Sequence, residues 1–181
     1  PSMTMLVAAH KEAPMPRDDF YVPIHVGKAL SSATFDAIGD DTGTNISIKN
    51  PSYCELTAHY WAWKNLSSDY VGLSHYRRYF RGSMPGPRGK GILSLEEARG
   101  LVTQHDVILA KPRNYLVETI KSHYANSHYV EDLSVTREAI QSYAPASLQS
   151  YDAVLAGRAM SLYNMFLMPR DEFNAYSEWL F

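Results

Sequence analysis

Asp69–Arg81 reads DYVGLSHYRRYFR. Its opening, Tyr70-Val71-Gly72-Leu73, has the apolar character of a short buried strand. The strand then empties into His75, Tyr76, Arg77, Arg78, Tyr79 and Phe80. Open α/β sheets bind their ligands beyond the carboxyl ends of the strands. Two adjacent guanidinium groups at such a position suit bidentate contact with phosphate. The run therefore points to a site for an anionic, phosphorylated ligand. The competing reading is ordinary ion pairing between these arginines and some of the 19 acidic residues.

Working outward, strand and helix signals alternate. Met5–Ala9 (MLVAA) reads as a first buried strand that ends at His10-Lys11. Residues 12–21 are rich in Pro and Asp and read as loop, and residues 22–26 as a short strand. Ala37–Asn50, AIGDDTGTNISIKN, is dominated by turn formers. A helix is then expected, with Asn50 as its cap and Pro51 in its first turn. Tyr53, Leu56, Tyr60 and Trp63 recur at helical spacing and are expected on its core face. Arg81–Gly91, RGSMPGPRGKG, reads as a mobile loop. Ser94 and Glu97 form a capping box that opens a helix through Val102. Residues 106–110 read as another buried strand. Helices follow near 117–123, 134–143 and 147–156, then a strand at 162–168 and a helix at 171–181. Strands alternating with helices imply an α/β fold with a largely parallel sheet flanked by helices. A chain of 181 residues is expected to form a single domain.

Composition narrows the function. The net charge is −2, with no long basic block, which argues against a general nucleic-acid binder. The single cysteine, Cys54, excludes an internal disulfide framework and fits a reducing compartment. Inside the expected helix it reads as a small buried residue. No apolar run reaches membrane-spanning length, so the expected location is cytoplasmic. Motifs for dinucleotide binding, the P-loop, the nucleophile elbow and zinc sites are all absent.

Several polar groups remain as candidates. Asp40 and Asp41 stand in a Gly-rich turn; they could hold ribose hydroxyls or a metal, or simply favour the turn. Asn45, Ser47, Lys49 and Asn50 concentrate polar side chains before a helix start, where anions are attracted. A nucleotide could be gripped between His10-Lys11 and this segment. Glu55 could close a capping box with Ser52 or act in catalysis. His59, His123 and His128 are candidates for acid–base work. His128 and Asp132 belong to the densest titratable cluster, residues 123–132, and Asp132 could be a base or a helix cap.

Five blocks together carry a resemblance: GDDTGTNIS (Gly39–Ser47), KNPSYCELTAHYWAWKN (Lys49–Asn65), YVGLSHYRRYF (Tyr70–Phe80), HYANSHYVEDL (His123–Leu133) and NMFLM (Asn164–Met168). The chain resembles the bacterial capsular and exopolysaccharide biosynthesis domain long catalogued as a domain of unknown function and thought to contain glycosyltransferases. That resemblance implies a GT-A-like, Rossmann-like fold and a nucleotide-sugar-dependent hexosyltransferase. Some members occur beside UDP-galactopyranose mutase, which implies galactofuranose transfer from a UDP-sugar donor.

In GT-A enzymes the strand corresponding to Tyr70–Ser74 usually ends in Asp-x-Asp, which holds a divalent metal on the diphosphate. Here it ends His75-Tyr76-Arg77-Arg78. The expectation is that the two arginines replace the metal, so that no cofactor is required and any divalent-metal dependence is weak. His10, Lys11, Asp40, Asp41, Asn45 and Lys49 are expected to hold the nucleotide. His75 would orient the donor, and Asn164 would lie near the donor sugar. Asp132 with His128 would act as general base, with Glu55 in reserve. The acceptor would be a saccharide hydroxyl, lipid-linked in such pathways, and the enzyme would work at the inner face of the membrane without a transmembrane segment. Family members usually continue beyond the WLF block, so the chain is expected to lack the family's C-terminal segment. A non-catalytic nucleotide- or carbohydrate-binding module is the alternative.

Overall fold

The structure is a computed structural model that describes residues 1–181. Its strands are β1 (Met3–Ala9), β2 (Tyr21–His25), β3 (Ile38–Gly39), β4 (Tyr70–His75), β5 (Met84–Pro85), β6 (Gly91–Ile92), β7 (Ile108–Leu109), β8 (Arg113–Asn114), β9 (Ala159–Met160) and β10 (Phe166–Pro169). Its α-helices are α1 (Asn50–Tyr53), α2 (Leu56–Asn65), α3 (Leu95–Val102), α4 (Ile120–Ala125), α5 (Glu131–Tyr143), α6 (Leu148–Ala156) and α7 (Arg170–Leu180). The expected single domain divides into two compact units: residues 1–110 with 163–181, and residues 111–162.

The first unit is α/β. Its six-stranded sheet has the order β3-β2-β1-β4-β10-β7. The four strands β3, β2, β1 and β4 are mutually parallel, and β10 runs antiparallel to both β4 and β7. Alternation along β1 explains the layering. Met5, Val7 and Ala9 face one side, where α3 supplies Ala98 and the Leu95 and Leu101 side chains. Leu6 and Ala8 face the other, with Ala58, Trp61 and Ala62 of α2 and Phe173 of α7. Every β1 side chain except the half-buried Thr4 is thereby removed from water on one face or the other. Gly72 is required where β4 passes Met5, since a Cβ there would lie 2.6 Å from the Met5 side chain and 3.1 Å from the Phe166 carbonyl oxygen.

Several expectations are corrected. The helix after Asn50 is broken: Cys54 has φ 47° and ψ −128°, which ends α1 before α2 begins. The break rotates the core face. Thr57, Ala58, His59, Trp61 and Ala62 are buried, whereas Tyr53 is exposed and Leu56, Tyr60 and Trp63 are only half-buried. Cys54 is exposed rather than buried. Residues 81–91 contain the antiparallel pair β5–β6. The strand expected at 106–110 is a two-residue edge strand with Leu109 exposed. The capping box forms as expected: Glu97 donates its backbone N–H to Ser94 Oγ at 3.1 Å, and the Ser94 N–H reaches Glu97 Oε2 at 2.9 Å.

His59, an acid–base candidate in the sequence, is a core residue. It is boxed by Phe166, Phe173, Tyr176 and Phe181. Ser177 Oγ donates to the Phe173 carbonyl at 2.7 Å, so it accepts from His59 Nε2–H at 2.8 Å. Burial pushes the His59 pKa down to about 4 from 6.5. The unfolded chain therefore binds a proton that the folded chain refuses between those values. Stability is full above pH 6.5 and falls as pH drops toward 4, by about 3 kcal/mol from this residue. Chemical denaturation of His59→Gln, which keeps a donor for Ser177, is expected to show a shallower acid limb than wild type.

The second unit holds the antiparallel pair β8–β9 and the helices α4, α5 and α6. Thr119 caps α4 by accepting from Ser122 N–H at 3.1 Å. Arg137 and Asp152 join α5 to α6 through two bonds of 2.8 Å.

Candidate functional site

Strand order locates the site. From β1 the chain moves outward through β2 to β3, then returns to place β4 on the other side of β1. The order reverses between β1 and β4, and ligands of open α/β sheets bind beyond the carboxyl ends of the strands at such a point. A cavity of about 340 Å³ opens there. Ala8, Ala9 and His10 line it from the end of β1, Val26 from the end of β2, and His75, Tyr76, Arg77 and Arg78 from the end of β4. Asn50, Cys54, Glu55 and Tyr163 complete it.

The two arginines owe their position to a tight turn. His75 N–H donates to the Arg78 carbonyl at 3.1 Å, and Arg78 N–H returns a bond to the His75 carbonyl at 2.9 Å. Neither guanidinium makes a carboxylate ion pair. Arg77 rests 5.1 Å from the Tyr76 ring centroid and Arg78 4.2 Å from that of Tyr163. Both cations are thus held by aromatic faces and remain free for an anion. The ion-pair reading of the sequence does not apply to them.

Glu55 lines the same cavity as the arginines. It does not close a capping box with Ser52. Its Oε1 accepts from Asn164 Nδ2 at 2.8 Å and lies 3.9 Å from His75 Nε2. The His75 Nε2 contacts the Tyr163 carbonyl at 2.7 Å, so that nitrogen carries the proton. Glu55 is a quarter exposed, and its second oxygen has no internal partner. Three residues here have left-handed backbones: Cys54 (φ 47°), Tyr163 (φ 77°) and Asn164 (φ 49°). Such conformations cost non-glycine residues roughly 1–3 kcal/mol each and gather at functional sites. They turn the Tyr163 carbonyl and the Asn164 amide onto His75 and Glu55.

Residues 4–181 match the family described as Domain of unknown function (DUF4422). The chain belongs to this family. No curated protein matches it. Among solved structures, it is similar to the WbbM bifunctional glycosyltransferase in its apo form, with 30% identity and a TM-score of 0.80. That similarity covers 99% of this chain and 36% of the other, so the chain spans little more than a third of that protein's length.

The remaining sequence candidates of this DUF4422 domain separate into groups. Asp40 is fully buried and spent internally. Its carboxylate accepts from Gly27 N–H at 2.8 Å, Lys28 N–H at 3.0 Å, Thr57 Oγ1 at 2.6 Å and also Ser47 Oγ. It organises the loop after β2 instead of facing a ligand. Asn45 is likewise absorbed: its amide nitrogen donates to the Asp41 and Gly43 carbonyls, and its oxygen accepts from Ser47 N–H. Asp41 and Lys11 are exposed and outside the cavity lining. Lys49 is exposed, with its ammonium 5.9 Å from the Tyr53 ring centroid.

Two of the family blocks are explained by one another. Trp61 Nε1 donates to Thr42 Oγ1 at 2.9 Å, and Asn65 brackets Thr44 with bonds of 3.2 and 2.9 Å. The HYWAWKN run thereby pins the GDDTGTN loop.

Asp132 and His128 lie in the second unit. Asp132 sits in the first turn of α5 and is not its cap; its Oδ2 is 3.5 Å from Tyr124 OH. His128 packs its ring 4.7 Å from that of Tyr124. The Cys54, Tyr163 and Tyr76 contributions to the cavity were not foreseen. Only the aromatic flanking of the arginines hinted at one of them.

No three His, Cys, Asp or Glu side chains converge on a common point. At the end of β4 stand two guanidinium groups, Arg77 and Arg78, and no acidic pair.

Proposed function

We propose that this domain is a nucleotide-sugar-dependent glycosyltransferase of the hexosyltransferase type. It transfers a sugar, galactofuranose by resemblance, from a UDP-sugar to an acceptor hydroxyl in capsular or exopolysaccharide biosynthesis. The observation that carries this reading is the pairing of two unneutralised arginines with a braced carboxylate around one cavity at the strand-order reversal. Glycosyl transfer requires both. Departure of the nucleoside diphosphate develops negative charge, which Arg77 and Arg78 stabilise in the role a metal has elsewhere. The acceptor hydroxyl loses a proton as its oxygen bonds to the anomeric carbon, and a carboxylate takes it.

The geometry favours Glu55 over Asp132 as that carboxylate, because Glu55 lines the cavity. Asn164 holds one of its oxygens and leaves the other for the acceptor. His10 borders the cavity on the nucleotide side, with Lys11 next to it. His75, protonated on Nε2 and anchored to Tyr163, positions the donor through its remaining nitrogen. The acceptor in this reading is a lipid-carried saccharide, and the reaction proceeds without a metal cofactor.

The test is a thermal-shift titration with UDP, GDP, CMP and TDP, each with Mn²⁺ and with EDTA. A ligand at 100 times its Kd stabilises by about 2.7 kcal/mol, several degrees for a domain of this size. A UDP-selective shift that survives EDTA supports the proposal. Strict dependence on Mn²⁺ would overturn the role given to the arginines. UDP binding without turnover of any UDP-sugar would favour the non-catalytic module, a reading supported by the missing Asp-x-Asp pair.

A further inference from the structure

The loop joining β8 to α4 leaves two adjacent apolar side chains bare. Leu116 is 73% exposed and Val117 84%. Single exposed apolar residues are common and need no explanation. This pair is different because the backbone is braced to present it. Leu116 N–H donates to Asn114 Oδ1 at 2.8 Å, and Tyr115 N–H to the Arg158 carbonyl at 2.8 Å. Val117 N–H reaches the Tyr115 carbonyl at 2.7 Å, and Arg158 Nη1 reaches the Leu116 carbonyl at 3.2 Å. Leu116 is held at φ 59°, a conformation unfavourable for a branched side chain.

Basic groups outnumber the one carboxylate, Glu118, on the loop and its flanks. Lys111 and Arg113 lie on the segment entering the loop and Lys121 on the segment leaving it, all exposed. Arg158 braces it from the neighbouring strand's approach. The loop's own carboxylate, Glu118, is engaged by His123 Nδ1 at 3.1 Å and Asn126 Nδ2 at 2.5 Å. That engagement holds its carboxyl below the usual range.

We propose that the Leu116–Val117 tip is a wedge that docks on an anionic phospholipid surface. Two protruding side chains are far too small for a stable protein interface, which buries about 800 Å² per partner. At a bilayer surface the two act together with charge: apolar groups enter the boundary between headgroups and acyl chains while basic residues meet lipid phosphates. No helix of the chain is long and apolar enough to cross a membrane, so this contact is peripheral. The inference stands independently of the transferase reading.

The test is flotation of the full chain with vesicles of phosphatidylcholine, with and without phosphatidylglycerol. The chain is expected to float with the mixed vesicles, roughly tenfold more weakly with phosphatidylcholine alone, and less as NaCl is raised. Leu116→Asn combined with Val117→Ser is expected to lower partition about tenfold. Asparagine accepts the left-handed backbone, so the fold is kept, and an unchanged melting temperature and nucleotide response would confirm that. Lys111→Gln with Arg113→Gln is expected to cost roughly fivefold per residue. A native chain that stays free of mixed vesicles, or a double apolar variant that floats like wild type, overturns the proposal. Equal flotation with and without phosphatidylglycerol overturns its anionic character.

Discussion

Replacing Arg77 by alanine is expected to lower turnover about a hundred- to a thousandfold while leaving the melting temperature within a degree or two. The two effects separate because the side chain is exposed and bonded to nothing but the face of Tyr76. Surface truncations of that kind change stability by only about 0.5 kcal/mol. The turnover loss arises from charge that appears on the departing diphosphate and that a fixed cation at the cavity offsets. Arg78→Ala is expected to act in the same direction, with an additional loosening of Tyr163, whose ring it covers at 4.2 Å. Arg77→Lys keeps the charge but loses the planar fork, so an intermediate rate is expected. Steady-state kinetics beside a thermal melt decides the matter. If Arg77→Ala lowers the melting temperature markedly and leaves turnover alone, the arginine is structural.

Glu55→Gln is expected to reduce turnover by roughly 10²–10⁴ with little change in nucleotide affinity. The substitution preserves shape, and the glutamine oxygen still accepts from Asn164 Nδ2, so the left-handed Tyr163-Asn164 turn should stay in place. What is lost is the ability to take a proton and the negative charge facing the arginines. Asn164→Ala is expected to cost less, since it frees the carboxylate without removing it. The control is Asp132→Asn, the base that the sequence favoured; it should remain close to wild type. A collapse of turnover in Asp132→Asn with an active Glu55→Gln would reverse the assignment.

Parts of this architecture were legible along the chain for local reasons. The Ser94–Glu97 capping box involves atoms three residues apart and depends on nothing distant, so it formed as read. The strand at β4 was legible because its uninterrupted apolar run can be buried only between two layers. The free arginines were legible because charge placed at such a strand's end has no local reason to be there. Other readings failed where tertiary contact overrode pattern. The core face of α2 was misread because the backbone turns at Cys54, and no local residue type announces a left-handed cysteine. Asp40 and Glu55 looked alike on the page, each a carboxylate in a polar stretch. One is sealed under Gly27, Lys28, Ser47 and Thr57, and the other faces the cavity.

The sequence by itself determined the α/β class, the largely parallel sheet and the cationic strand end. These follow from periodicity, burial and turn chemistry over a few residues at a time. Only the tertiary structure decided which polar groups share a site. Asn164 meets Glu55 across 109 residues of chain. That meeting depends on β10 lying antiparallel to β4 with Phe166 opposite Leu73. The register is set by burying Phe166 and Met168 against α2 and α7, a condition spread over the whole core and written in no single segment.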